Sequence, residues 1–440
     1  MRITLPPADT RPIPVRVAAA IRDAINTGML HPGEKVDSTR TLARQLSVSR
    51  GSIVTAFDQL VAEGYLKPAQ GSGTIVNPHL TPTPTEPVTT TVHTATNPDI
   101  IRLSPGLPDT DGLVTPAWRA AWRDAANHPP LTAPLAGLRQ LREEVAAHLR
   151  HMRGLVVDPG RIIITSGARE GLTLLLRSIG AGLEVGVESP GYPSLRRIPP
   201  ELGHRLVDVA ADTDGVTVPG QRLDALVVTP SHQYPYGGSL PAARRTALVS
   251  WARDCDALLI EDDFDSELRY IGQPLPALAA LEPERTVLLG TFSSVISPTI
   301  GCGFIVVPAT LVAALERTRQ LTGQPVSAIT QQALANFLAS GQLRRHTGRM
   351  RRAYKRRRDI VIEALGPGLL PIAGGLHAVL LCGRPVDEVC ASTLRRGVEV
   401  TALSDYWGGQ AAENGLVLGF GHLKDDTLMT ALKVLREETY

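Results

Sequence analysis

Thr291-Phe292-Ser293-Ser294-Val295-Ile296-Ser297-Pro298-Thr299-Ile300-Gly301-Cys302-Gly303-Phe304 lies between two apolar runs. Val287-Leu288-Leu289-Gly290 before it and Ile305-Val306-Val307 after it are short and uncharged, and each reads as a buried strand. Outward from this stretch, from Leu103 to the C-terminus, helix-like and strand-like segments alternate, which predicts a layered α/β domain. Leu138 to His151 has helical periodicity. Arg161-Ile162-Ile163-Ile164-Thr165 reads as a strand that passes through Ser166-Gly167-Ala168 into a helix, Arg169 to Ile179. A strand that opens through small residues into a helix N-terminus exposes free N–H groups and is a ready site for a phosphate.

The chain has 440 residues, 43% of them hydrophobic and 20% charged, which is ordinary for a globular protein with two or three domains. Its net charge of +2 excludes a uniformly basic surface, so any nucleic-acid contact is local. With no signal-like segment and no long uncharged apolar run, the expected location is the cytoplasm. Cys255, Cys302, Cys382 and Cys390 lack metal-ligand spacing; reduced thiols and no metal site are expected. The only lysines are Lys35, Lys67, Lys355, Lys424 and Lys433, so none lies between Lys67 and Lys355.

Residues 13–75 predict a winged helix-turn-helix. Val17, Ile21 and Ile25 share one face of a first helix, which His31-Pro32-Gly33 closes with a turn. Ser38 caps a second helix, Thr39 to Leu46, and Ser47-Val48-Ser49 supplies the turn and the next cap. A third helix runs from Arg50 to about Glu63 with Ile53, Ala56, Phe57 and Leu60 inward. Gly64-Tyr65-Leu66 and Gly73-Thr74-Ile75-Val76 are the expected wing strands. Ser49, Arg50, Gly51 and Ser52 stand at a helix N-terminus, suited to phosphate or base edges, and Arg40 and Arg44 project from the second helix. Met1 to Asn77 holds nine Lys/Arg against six Asp/Glu, a mild excess that calls for two modules on one DNA site. Asn77 to Asp99, rich in Pro, Thr and Val, reads as an extended tether.

These motifs carry two resemblances. Gly33-Glu34-Lys35, Asp37-Ser38-Thr39-Arg40, Leu46-Ser47-Val48-Ser49-Arg50 and Leu60-Val61-Ala62-Glu63-Gly64-Tyr65-Leu66 with Gly71-Ser72-Gly73-Thr74 resemble the GntR-family DNA-binding domain. The resemblance implies that Arg40, Arg50, Ser52 and the wing around Gly71 and Gly73 carry the DNA contacts. Pro105-Gly106-Leu107-Pro108-Asp109, Glu188-Ser189-Pro190-Gly191-Tyr192-Pro193, Val228-Thr229-Pro230-Ser231-His232-Gln233-Tyr234-Pro235-Tyr236-Gly237 and Ile260-Glu261-Asp262-Asp263-Phe264-Asp265-Ser266-Glu267 precede the Thr291 segment in order. Together they resemble the aminotransferase-like domain of MocR/GabR-type transcription regulators, a fold-type I aminotransferase fold that binds pyridoxal phosphate (PLP). The implied architecture is an N-terminal winged helix-turn-helix (1–77), a linker (78–98), and an aminotransferase-like region (99–440) with a large α/β/α sheet domain and a small α+β domain.

The resemblance also implies what each position did. Asp262 takes the pyridine-nitrogen place, His232 and Gln233 lie in the loop below the ring, Tyr192 stands beside it, and Ser166, Gly167 and Ala168 face the phosphate. Ser294 stands where the family has its imine lysine, Gly301 where it has a phosphate arginine, Phe264 where it has a tyrosine, and Thr132 where a further tyrosine is aligned. Losing a covalent bond and a bidentate cation removes several kcal/mol of cofactor affinity, on the order of magnitude of such contacts. The expectation is a homodimeric regulator binding double-stranded DNA, with no catalytic residue and an unidentified, less anionic effector in the old cavity or a cavity packed shut. Non-covalent PLP or pyridoxamine phosphate is the alternative, and an active PLP-dependent aminotransferase the remote one. The basic run Arg344 to Arg358 reads as a solvated helix with Met350, Tyr354 and Ile360 on a buried stripe, auxiliary DNA contact being its other reading.

Overall fold

The computed structural model describes residues 3, 5, 10–69, 73–80, 99–273 and 275–439. The chain divides into two compact units, residues 1–96 and 97–440.

In the first unit, α1 (Ile13–Asn26), α2 (Thr39–Leu46) and α3 (Arg50–Ala62) precede a two-stranded antiparallel wing, β1 (Leu66–Ala69) and β2 (Gly73–Val76). Val17, Ile21 and Ile25 of α1 pack on Leu42, Ile53, Phe57 and Leu60, so the apolar spacing of the sequence becomes one core. The Ser38 and Ser49 hydroxyls each accept an N–H bond at 3.1 Å, from Thr41 and Ser52, and fix where α2 and α3 begin. Two boundaries differ from the sequence expectation. Helix α1 stops at Asn26 rather than at His31-Pro32-Gly33, because Thr27 caps it and Gly28 takes a left-handed conformation. The first wing strand begins at Leu66 rather than Gly64, whose φ of +80° makes it the turn out of α3. Gly71 and residues 81–98, which carry most of the expected tether, lie outside the described residues.

The second unit is built on an eight-stranded sheet: β3 (Ile162–Thr165), β4 (Glu184–Ser189), β5 (Arg205–Asp212), β6 (Gly215–Val216), β7 (Ala225–Val228), β8 (Leu258–Asp263), β9 (Thr286–Thr291) and β10 (Gly303–Val306). Its order is β3-β10-β9-β8-β7-β4-β5-β6. The run β9-β8-β7-β4-β5 is parallel, and β10 is antiparallel to both neighbours. The central strands are buried end to end, as their continuous apolar runs require. Helices α4 (Pro116–Asn127), α5 (Arg139–Arg153), α6 (Ala168–Ile179), α7 (Ala242–Cys255), α8 (Ala309–Thr322) and α9 (Ala328–Ala339) accompany it. Two apolar clusters form around the sheet, one on Leu172, Leu175 and Leu176 of α6 and one on Val145 and Leu149 of α5. A three-stranded sheet, β11 (His377–Leu381), β12 (Thr401–Ala402) and β13 (Gly415–Gly419), packs with the long helix α10 (Gln342–Leu365).

Helix α10 contains the basic run. It buries His346, Met350, Tyr354 and Arg357, while Ile360 is half-buried. Arg357 is paired with Asp109 at 2.7 Å and Asp425 at 3.2 Å, so this charge holds the fold together. Gly303 lets the sheet meet the α6 turn: a Cβ there would stand 2.4 Å from the Gly290 carbonyl oxygen and 2.9 Å from Gly167 Cα.

Candidate functional site

The parallel strands β4, β7, β8 and β9, together with β3, end on one edge of the sheet, where α/β folds form their clefts. Their C-terminal residues and the loops that follow enclose a cavity of about 740 Å³. Strand β3 delivers Ser166, Gly167 and Ala168; the loop after β4 delivers Tyr192 and Ser194; β8 and its following residue deliver Asp262 and Phe264; β9 ends in Thr291, Ser293 and Ser294. This volume is not filled by neighbouring side chains, so the packed-shut alternative does not hold.

Asp262 is the most constrained group on the wall. It is 4% exposed, and its Oδ1 is buried with no hydrogen-bond partner. Burial, reinforced by the nearby Asp263 and Asp265, raises its pKa well above the ordinary carboxylate value. A buried carboxyl oxygen on a cavity wall with no hydrogen-bond partner lacks what such a group requires, and a ligand nitrogen is the kind of group that would supply it. Behind it, Glu188 is pushed up to about 7 by burial, against the opposing bonds from the Thr229 hydroxyl and N–H and from Gln233. Phe264 and Tyr234 form the aromatic side, edge to face with centroids 5.5 Å apart, and Tyr192 meets Tyr234 at 5.2 Å.

Seven of the ten residues expected in this pocket line it: Ser166, Gly167, Ala168, Tyr192, Asp262, Phe264 and Ser294. Three do not. Gly301 ends a short 3-10 helix with φ +52° and open space beyond its Cα, so it has no atom to offer the wall. Gln233 is fully buried, and its amide donates to the carbonyls of Pro190 at 2.9 Å and Tyr234 at 2.7 Å, which makes it a strut under the loop. His232 stacks behind Phe264 and binds Asp265 through Nδ1 at 2.8 Å. Thr132 is exposed and likewise off the wall. His232, Asp265 and His377 form a buried cluster with metal-ligand atom types within 4.8 Å of one another; the histidine–carboxylate bond already satisfies two of its members. Burial, then His232, lowers His377 to about 3, keeping it neutral.

Sequence reading missed Arg169, Tyr234, Thr173 and Ser293 on the same wall. Arg169 is the only basic residue among the lining residues, is exposed, and makes no ion pair among the described residues. Its neighbour Glu170 is matched instead by Arg319, at 2.7 and 2.8 Å, and accepts the Ser166 N–H at 3.2 Å. The expectation of a less anionic effector rested on Gly301; Arg169 restores a cation to the cavity. It could have been found from its place in the first turn of α6, next in sequence to the strand-to-helix turn.

In the first unit Arg40, Arg44, Ser49, Arg50, Gly51 and Gly73 are exposed and Ser52 is half-buried. The Ser49 and Ser52 hydroxyls hydrogen-bond each other at 2.8 Å, so capping occupies them. Lys35 and Lys67 both pair opposite Ile75 and give the wing two exposed cations on one face.

Residues 14–76 match the model of the bacterial regulatory proteins of the gntR family. Over 438 residues the chain is 56% identical to the HTH-type pyridoxine biosynthesis transcriptional regulator PdxR of Corynebacterium glutamicum, covering 98% of this chain and 96% of that one. It is 30% identical over 456 residues to the probable rhizopine catabolism regulatory protein MocR of Rhizobium meliloti, covering 94% and 91%. Among solved structures it is similar to an archaeal alanine:glyoxylate aminotransferase, with a TM-score of 0.72, 26% identity, and coverage of 77% of this chain and 90% of that one. The aspartate aminotransferase of Thermus thermophilus with maleate gives a TM-score of 0.69, 25% identity and coverage of 77% and 92%. With the gntR-type module and the aminotransferase-like sheet in one chain, the protein belongs to the MocR/PdxR-type family of DNA-binding transcription regulators.

Proposed function

We propose that the aminotransferase-like unit is a non-covalent effector sensor, and that a homodimer of the chain reads a two-part operator with one winged module per half-site. The observation that carries the sensor reading is the composition of the cavity wall: hydroxyls, aromatic rings, Arg169, and the carboxyls of Asp262 and of Glu170, the latter matched by Arg319, with no lysine among its lining residues. PLP catalysis begins with an amine that forms an imine, and the Ser294 hydroxyl cannot serve. All five lysines lie elsewhere in the chain.

The residues present fit a phosphorylated pyridine as a ligand. Asp262 would hold the ring nitrogen; the α6 turn and Arg169 would hold the phosphate. In an enzyme such a group, handed from a lysine to the substrate's own amine, would stabilise negative charge on the α-carbon; this wall offers no lysine amine to hand it over. PLP or pyridoxamine phosphate as a non-covalent effector is thus the second reading. It is favoured by the unpartnered Asp262 and by the pyridoxine-biosynthesis name of the 56% identical relative. Regulation follows if the effector binds two states of the dimer unequally.

The test uses the full-length protein. Borohydride treatment with PLP leaves no stoichiometrically labelled lysine peptide by mass spectrometry, and added amino acids yield no keto acids. Pyridoxamine phosphate raising the melting temperature supports the second reading; a different co-purified small molecule supports the first. A labelled peptide or measurable transamination overturns both.

A further inference from the structure

Helix α3 turns Arg50, Gly51, Val54, Thr55 and Asp58 to solvent and buries Ile53, Ala56, Phe57 and Leu60. Most of its polar groups are already committed. Ser49 and Ser52 share their hydroxyl bond, and Thr55 Oγ1 donates to the Gly51 carbonyl at 3.1 Å. Two side chains at the N-terminal end remain available to a base edge: the exposed Arg50 and Val54, which is 38% exposed and outside the apolar core of the unit. Their four-residue spacing puts them on the same face. Gly51 follows Arg50 in the first turn, and the packing does not require it. A Cβ there would meet only the Ser49 hydroxyl, at 3.9 Å. Gly51 is the second residue of the helix and leaves its exposed first turn without a side chain next to Arg50.

In the major groove thymine alone presents an apolar group, its 5-methyl, and an aliphatic side chain is its natural partner. We infer that Val54 reads a thymine methyl and is a specificity-determining residue of each half-site. Four residues of helix span roughly 6 Å against about 3.4 Å per base step, so this thymine lies one or two base pairs from the pair that Arg50 meets. The inference rests on α3 being the element that enters the major groove.

The experiment starts from a duplex selected from random sequence by the full-length wild-type protein, and replaces its thymines one at a time by deoxyuridine, which removes only the methyl. At one thymine per half-site the wild type loses affinity, roughly threefold to tenfold. Val54→Ala loses the same factor on the parent duplex and is indifferent to deoxyuridine there. Val54→Thr, which keeps a methyl, retains part of the sensitivity. The inference is overturned if no thymine methyl matters to the wild type, or if Val54→Ala keeps every wild-type sensitivity. The underlying reading fails separately: Arg50→Ala would then bind the selected duplex as tightly as wild type.

Discussion

Arginine does opposite work in the two units. In the winged module Arg40, Arg44 and Arg50 are exposed on α2 and α3 and make no ion pair among the described residues. In the aminotransferase-like unit Arg153, Arg319 and Arg357 are at most 6% exposed as side chains and are closed into ion pairs. Charge alone therefore does not mark a binding surface, and neither does exposure alone, since Arg344, Arg345, Arg349, Arg351 and Arg352 of α10 are exposed as well; a site also needs a surface or cavity that the charge faces. In the second unit Arg169 combines exposure with a place on the cavity wall.

The largest effect is expected at Arg153. Its guanidinium lies 2.8 Å from Asp263 and 3.3 Å from Glu261, and it also donates to Ser231 at 2.7 Å. Arg153→Met strands two buried carboxylates, and one-sided removal of a buried pair costs about 3–5 kcal/mol. The thermal transition of the second unit should fall at pH 7.5. The loss should be smaller near pH 5, because Glu261, already pushed up to about 7 by burial, takes a proton there. The winged module's DNA affinity per folded molecule should not change.

Next comes Glu188. Its folded pKa of about 7 exceeds the ordinary 4.5, so the folded state binds the extra proton and the stability from this group is complete at low pH. That contribution is lost as pH rises from about 4.5 through about 7, to a total of about 3 kcal/mol at most. Glu188→Gln, which mimics the protonated side chain beneath Thr229, should flatten the decline of melting temperature across this window. An unchanged slope would mean that Glu188 is charged in the fold.

The same contrast separates what the sequence makes legible from what it does not. The winged module was legible because its determinants are local: Ser38 and Ser49 cap the helices that start one residue later, and the Ile53–Phe57–Leu60 spacing faces one core. Its errors were local too, at Thr27-Gly28 and Gly64, where a left-handed glycine follows the last turn sooner, or later, than the pattern suggests. The cavity gathers residues from strand ends over 100 residues apart in sequence. A motif can name the turn Ser231-His232-Gln233-Tyr234, but not which of its side chains points outward. Tyr234 reaches the cavity, Gln233 ties down the loop, and His232 is held by Asp265. Arg169 went unread because its significance depends on Glu170 being matched by Arg319, a partner 149 positions away.

Arg169 gives the third test. If it is the cavity's free cation, Arg169→Ala should weaken pyridoxamine phosphate roughly threefold to tenfold, an exposed charge-assisted bond being screened by solvent. Pyridoxamine, which lacks the phosphate, should bind both proteins alike. Calorimetric titration of the two ligands separates the outcomes. Equal losses for both would place Arg169 in the architecture of the wall, beside its buried counterparts.

The smallest effect is the most discriminating, because its two readouts should move in opposite directions. Gly51→Ala adds a methyl where only the Ser49 hydroxyl is near, at 3.9 Å, so the helix should gain about 0.5–1 kcal/mol, seen as a higher melting temperature of the winged module. The same methyl adds bulk next to Arg50 on the exposed first turn of α3, and operator affinity should fall roughly twofold to threefold. A variant more stable yet weaker in binding shows that the glycine is retained for the DNA and not for the fold. A variant that gains stability and binds equally well would move the contact away from the first turn of α3, towards the wing lysines Lys35 and Lys67.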